Sequence, residues 1–157
     1  MTLRVALFEP DIPQNTGTIM RLGACLGVPI DIIEPCGFPV SDRALRRSVM
    51  DYADIVDVTL HPSWDQFWAR QTESARRVVL LSTKAAENYL EFEFGPRDTL
   101  LLGRESAGVP ESVHTQVPAR ITIPMAAGAR SLNVAMAGAM VVGEALRQIA
   151  LGKAFAT

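Results

Sequence analysis

Short apolar runs suited to extended backbone recur between stretches of helical spacing. This alternation limits what the chain can fold into more than any other feature. Leu3 to Phe8, Ile30 to Ile33, Ile55 to Leu60, Val78 to Leu81, Thr99 to Leu102 and Arg120 to Ile123 read as six strands. The first helix is expected to start near Asn15 or Thr16, both good N-caps, and to stop at Gly27, where a terminating glycine belongs. Ser41 is expected to cap a short helix through Met50, and Pro62 to Gln71 carries Trp64, Phe67 and Trp68 at helical spacing. Pro110 at a first helical position opens another helix, and Ser131 caps a last one that reaches about Leu151. Strands that are apolar at nearly every position need cover on both faces. The expected fold is therefore α/β, a parallel sheet of about six strands with helices on both sides.

The 157 residues suit one domain over 1–157, with no linker, repeat or low-complexity tract. With 48% hydrophobic residues and a net charge of -2, the chain can bury a sizeable core and is not a disordered one. The longest apolar run, Val134 to Gly143, is too short to cross a bilayer, and Met1-Thr2-Leu3-Arg4 lacks the apolar centre of a signal peptide. A soluble cytoplasmic protein without a membrane partner is expected. Cys25 and Cys36 form no CxxC pair, and His61 lies far from His114, so neither a metal site nor a histidine-dependent triad is expected. Only Lys84 and Lys153 among the 15 basic residues are lysine. Arginine is the better phosphate fork, but composition alone favours a general arginine bias over a nucleic-acid footprint.

Familiar phosphate and nucleophile motifs are missing. No G-x-G occurs, so the dinucleotide fingerprint fails, as do the Walker A pattern, the G-x-S-x-G elbow and H-E-x-x-H. Ligands of open α/β sheets bind at the carboxyl ends of the strands, which directs attention to the strand-exit loops.

Three such loops stand out. In Glu9-Pro10-Asp11-Ile12-Pro13-Gln14-Asn15-Thr16-Gly17, two prolines stiffen the chain ahead of Arg21. Arg21 lies on the opposite helix face from Ile19, which shares an apolar stripe with Leu22 and Leu26, and its guanidinium suits a phosphate or a developing oxyanion. In Gly103-Arg104-Glu105-Ser106-Ala107-Gly108-Val109-Pro110, two glycines let a ligand approach the backbone, and Glu105 can order the loop by accepting N–H bonds. In Ile123-Pro124-Met125 through Arg130-Ser131-Leu132-Asn133, polar groups stand at the mouth of an apolar helix. Asn133 is a poor interior helix former there. Arg43, Arg46 and Arg47 share one helix face, either a solvated stripe or a phosphate track. The last helix is apolar nearly all round, which favours cover by a second subunit over cover by the same chain alone.

Taken together, E-P-x-I-P-x-N-T-G-x-I-x-R, L-L-G-x-E-x-x-G-V-P and I-P-M-x(4)-R-S-L-N resemble motifs 1, 2 and 3 of the SpoU branch of the SPOUT RNA methyltransferases. The resemblance runs in order over nearly the whole chain, with no separate RNA-binding domain. Ile33-Glu34-Pro35-Cys36-Gly37-Phe38, Leu45-Arg46-Arg47 and Asp51-Tyr52 are similar to the subgroup that methylates the ribose of the tRNA wobble nucleotide, cytidine or uridine 34.

The resemblance implies a C-terminal deep trefoil knot, a homodimer and S-adenosylmethionine as methyl donor, with no metal. Carried over, Leu81, Gly103, Ile123, Ser131 and Leu132 are expected at the donor, largely through backbone contacts. Arg21, Asn15, Glu105 and Asn133 match the polar positions of the reaction site, and Arg43, Arg46, Arg47, Arg104 and Arg130 are expected to face the RNA. The chain departs from the family pattern in two places. Ala135-Met136 replace a Ser-Asn pair, and Gln14 replaces a third proline. The alternatives are the same chemistry on another tRNA position or on ribosomal RNA, a non-catalytic RNA- or nucleotide-binding module on the same fold, and a small-molecule α/β enzyme.

Overall fold

The structure is a computed structural model. It describes residues 2–40 and 43–155, with the side chains of 44, 46, 48, 50 and 153–155 outside the described set. In chain order it comprises β1 (Arg4–Phe8), α1 (Pro13–Leu26), β2 (Ile30–Ile33), α2 (Arg43–Val49) with a short 3-10 turn at Met50–Tyr52, β3 (Val58–His61), α3 (Trp64–Glu73), β4 (Arg77–Leu81), β5 (Glu87–Asn88), β6 (Asp98–Leu102), α4 (Glu111–Gln116), β7 (Ala119–Thr122) and α5 (Val134–Phe155).

One parallel sheet runs β3-β2-β1-β6-β4-β7-β5. It has seven strands rather than about six. The added one, Glu87–Asn88, is two polar residues held at the edge beside β7, and no apolar run announces it. Alternate residues of each central strand feed two cores, as a sheet covered on both faces requires. Val5, Leu7, Ile30, Ile32, Leu100 and Leu102 meet Ile19 of α1 and Val141, Val142 and Ala145 of α5. Ala6, Phe8, Ile33, Leu80 and Leu101 meet Phe67 of α3 and Val113 of α4. Each fully buried leucine or isoleucine here stabilises the fold by about 1.5–3 kcal/mol relative to exposure.

Several local expectations need correction. The first helix starts at Pro13 with Ile12 as its N-cap, not at Asn15 or Thr16, because a proline at the first helical position needs no N–H partner. Gly27 ends it in the left-handed region at φ 66°, as expected. Leu26 is 47% exposed, so the stripe with Ile19 is only partly buried. The third strand begins at Val58, and Ile55 is exposed after the 3-10 turn. Ser63 rather than Pro62 opens α3, its hydroxyl accepting from the Gln66 N–H. Pro110 is the N-cap of α4, one position before the expected one. Ser41, the expected cap of α2, lies outside the described residues.

Among the described residues one helix, Val134–Gly152, is long and apolar enough to cross a membrane by length and composition, which the shorter run Val134 to Gly143 had not suggested. One side of it packs into the core, and about a third of that stretch, 33%, is buried. Val141, Val142 and Ala145 are fully buried against the chain's own sheet. Gln148 receives and donates hydrogen bonds to the backbone of Phe94 and Phe92.

Candidate active site

The carboxyl ends of β1, β4, β6 and β7 lie side by side, and the loops that leave them enclose a cavity of about 480 Å³. That volume is within the usual range for small-molecule sites, about 300–1,000 Å³. Leu81 at the end of β4, Gly103 after β6, and Ile123, Ser131 and Leu132 after β7 all border it. Leu102, Ala137 and Val134 add apolar wall, and Ile12, Ser82, Thr83, Lys84, Glu111 and His114 complete parts of the rim that sequence reasoning did not reach.

The loop after β6 is a small closed lasso. Arg104 N–H donates to the Gly108 carbonyl at 3.0 Å, and Gly108 N–H returns to the Arg104 carbonyl at 2.9 Å. The crossing is so tight that a Cβ on Gly103 would stand 2.8 Å from the Gly108 backbone, so only glycine fits. Gly108 itself sits at φ 65°. This bares backbone edge to the cavity, where a flat heterocycle can be bound by main-chain groups.

Asn15, Glu105 and Asn133 also border the cavity; Arg21 does not. Arg21 lines an adjoining groove with Thr18, Leu22, Cys25, Met136 and Ala139, and Asn15 and Asn133 border both spaces. The Asn133 Nδ2 donates to Asn15 Oδ1 at 3.0 Å, so the two amides form the partition. Asn133 Oδ1 meanwhile accepts from the Ala135 and Met136 N–H groups at 2.9 and 3.2 Å. Asn133, not Ser131, therefore caps α5. Its unfavourable interior propensity is irrelevant at a cap, where asparagine ranks among the best residues. The Arg21 guanidinium lies 5.0 Å from the centre of the Tyr52 ring, a cation–π contact.

Glu105 is half-buried. Burial first, and then its Asp11 neighbour, push its carboxyl above the usual range. The hydrogen bond with Glu105 in turn holds Asp11 below its ordinary value, helped by Ser106 and Arg104. Glu9, at the exit of β1, stands at φ 41°, a left-handed position uncommon for a side-chain-bearing residue.

Arg104 borders the cavity. Arg130 is exposed on the loop before α5. Arg43 and Arg47 are exposed on α2, whose Leu45 and Val49 are buried. The side chain of Arg46 lies outside the described set. Among the described residues no three His, Cys, Asp or Glu side chains gather so as to hold a metal ion.

The SpoU rRNA Methylase family profile matches residues 2–143. The chain is 61% identical over 145 residues to a tRNA (cytidine(34)-2'-O)-methyltransferase of Beijerinckia indica subsp. indica, covering 92% of this chain and 91% of that one. It is 39% identical over 149 residues to the enzyme of that name from Escherichia coli, covering 94% of each. A solved structure described as giving insights into the 2-OH methylation of C/U34 on tRNA superposes with a TM-score of 0.90 at 38% identity, over 94% of this chain and 95% of that one. An AdoMet-bound rRNA methyltransferase from Sinorhizobium meliloti superposes with a TM-score of 0.86 at 26% identity, over 93% of this chain and 56% of that one.

Proposed function

The chain belongs to the SpoU rRNA methylase family, and from that premise we propose that it transfers a methyl group from S-adenosylmethionine to the ribose 2'-hydroxyl of nucleotide 34, cytidine or uridine, in tRNA. The observation that carries this reading is the single cavity shared by the three motif loops, with a polar partition toward an arginine-bearing groove. Relatives of matching length carry that activity in their names.

The cavity fits the donor. Its floor of Leu81, Leu102, Ile123 and Ala137 suits an adenine ring, and the Gly103 crossing leaves main-chain groups within reach. Bound there, the donor supplies an electrophilic sulfonium methyl group. The chain's own residues bring the sugar to it. Asn15 and Asn133, at the boundary of the two spaces, fix where the ribose enters. The Arg21 guanidinium serves as a positive charge that holds the 2'-oxygen and the adjoining phosphate as negative charge develops. Arg43, Arg46, Arg47, Arg104 and Arg130 extend that charge along the RNA backbone.

The working unit in this reading is a homodimer in the cytoplasm, where tRNA is available. Met136 is 63% and Met140 41% exposed, and Met136 shares a groove with the exposed Leu26, apolar surface that a second copy of the same chain would cover. Changing Met140→Asp should shift sedimentation from dimer to monomer; an unchanged dimer would remove this face from the interface. The insertion of β7 between β4 and β5, two strands that the chain joins directly, supports a threaded, knotted C-terminal part.

The test is incubation with labelled donor and total RNA, followed by nucleoside mapping. Methyl label on the ribose of nucleotide 34 is the expected result. Label at another tRNA position or in ribosomal RNA replaces the substrate, and RNA binding without transfer replaces the enzyme with a binding module.

A further inference from the structure

We propose that Asp11 is a positioning residue that clamps three consecutive residues of the second motif loop, Arg104, Glu105 and Ser106, over the donor cavity. The inference rests on the reading of that cavity given above. The Asp11 backbone N–H donates to Glu105 Oε2 at 3.0 Å. The Ser106 hydroxyl donates to Asp11 Oδ2, and Arg104 Nε stands 4.0 Å from the same oxygen. Asp11 thus meets the turn of the lasso from 94 residues away, its backbone N–H on Glu105 and its carboxylate on Ser106 and Arg104.

The clamp is itself held from behind. Gly37 N–H donates to the Pro10 carbonyl at 2.9 Å. A Cβ on Gly37 would stand 2.8 Å from the Asp11 Cβ, so the loop after β2 leaves Asp11 no room to retreat. Pro10 and Pro13 restrict the backbone on either side. The groups that act on the Asp11 carboxylate are Glu105, Ser106 and Arg104, and Glu105 also acts, with Glu34 and Glu9, on the Cys36 thiol. Burial and the Asp11 neighbour raise the Glu105 carboxyl, while the hydrogen bond with Glu105 lowers that of Asp11, so the two carboxyls differ in how readily each gives up its proton. Neighbouring Ile12 and Asn15 border the cavity, so the clamp also sets where the first loop stands relative to the second.

The experiment compares the full-length wild type with Asp11→Ala and Asp11→Asn by three readouts. These are amide hydrogen exchange, calorimetry with S-adenosylhomocysteine, and kcat and KM for methyl transfer. In Asp11→Ala, exchange at the Arg104 and Gly108 amides should accelerate while the strands stay protected. Affinity for the donor product and kcat should each fall by roughly tenfold as the loop loses its placement. Asp11→Asn, which accepts from Ser106 and donates to Glu105, should recover most of both. The proposal is overturned if Ala leaves exchange at Arg104 and Gly108 unchanged, or if Asn is as impaired as Ala. A wild-type protein that binds no S-adenosylhomocysteine would defeat the donor reading instead, and exchange at the lasso would still decide the role of Asp11.

Discussion

The Asn133 side chain spends both ends at once: Nδ2 on Asn15, 118 residues earlier, and Oδ1 on the first N–H groups of α5. Helix start and site boundary are therefore one structural unit. The last helix cannot fray without moving the partition between cavity and groove.

Two substitutions separate these duties. Asn133→Ala removes the cap and should cost about 1 kcal/mol. In thermal denaturation that is a fall in Tm of about 2–4 °C for a domain of this size. Asn133→Asp keeps an acceptor for the helix N–H groups, so Tm should recover. Its carboxylate faces the Asn15 oxygen with no proton to give, so methyl transfer should stay impaired. Full activity in the Asp variant would reduce Asn133 to a cap.

Arg21 borders the groove and not the cavity, so its loss should affect the acceptor side. Arg21→Ala is expected to lower kcat by roughly a hundredfold, the scale of a lost oxyanion contact. Calorimetric affinity for S-adenosylhomocysteine should stay within about twofold, since the cavity walls are untouched. A matching loss of donor affinity would move Arg21 into the donor site.

The exposed Arg43 and Arg47 on α2 predict a salt-sensitive complex despite the net charge of -2. The tRNA affinity should fall linearly on a double-logarithmic plot against salt. Each Arg→Ala change at these two positions should lessen the slope by about 1. Slopes that do not respond would leave α2 off the RNA path.

The Cys36 thiol is pushed up to about 11 by burial and by the charges of Glu34, Glu9 and Glu105. Its folded pKa is raised, so the protonated thiol contributes stability below the ordinary thiol range, and that contribution is lost as pH rises through about 11. In the native protein at pH 8, iodoacetamide should modify Cys36 about a hundredfold more slowly than in urea, because only the thiolate reacts. Mass spectrometry of the labelled peptide checks this, and equal rates would mean that burial and the carboxylates together do not raise the thiol.

The amino-acid order determined the apolar strands of the sheet, though not its polar edge strand Glu87–Asn88. Ile30 to Ile33 became a strand with the boundaries its apolar run suggests, and Gly27 ended its helix, because periodicity and φ preference act over a few neighbouring residues. The motifs also picked out the cavity lining, since Leu81, Gly103, Ile123, Ser131 and Leu132 follow strands whose carboxyl ends a parallel sheet must align. Only the tertiary structure decided the rest. Asn133 became a cap and Ser131 did not, Arg21 fell in the neighbouring groove, and Asp11 met Arg104, Glu105 and Ser106. The cap is a local bond that two neighbouring polar residues could each have made, whereas the contacts of Asn133 with Asn15 and of Asp11 with Glu105 join segments about a hundred residues apart, a distance no local propensity encodes. The strand order brings them together, and the polar groups then take the partners that burial leaves within reach.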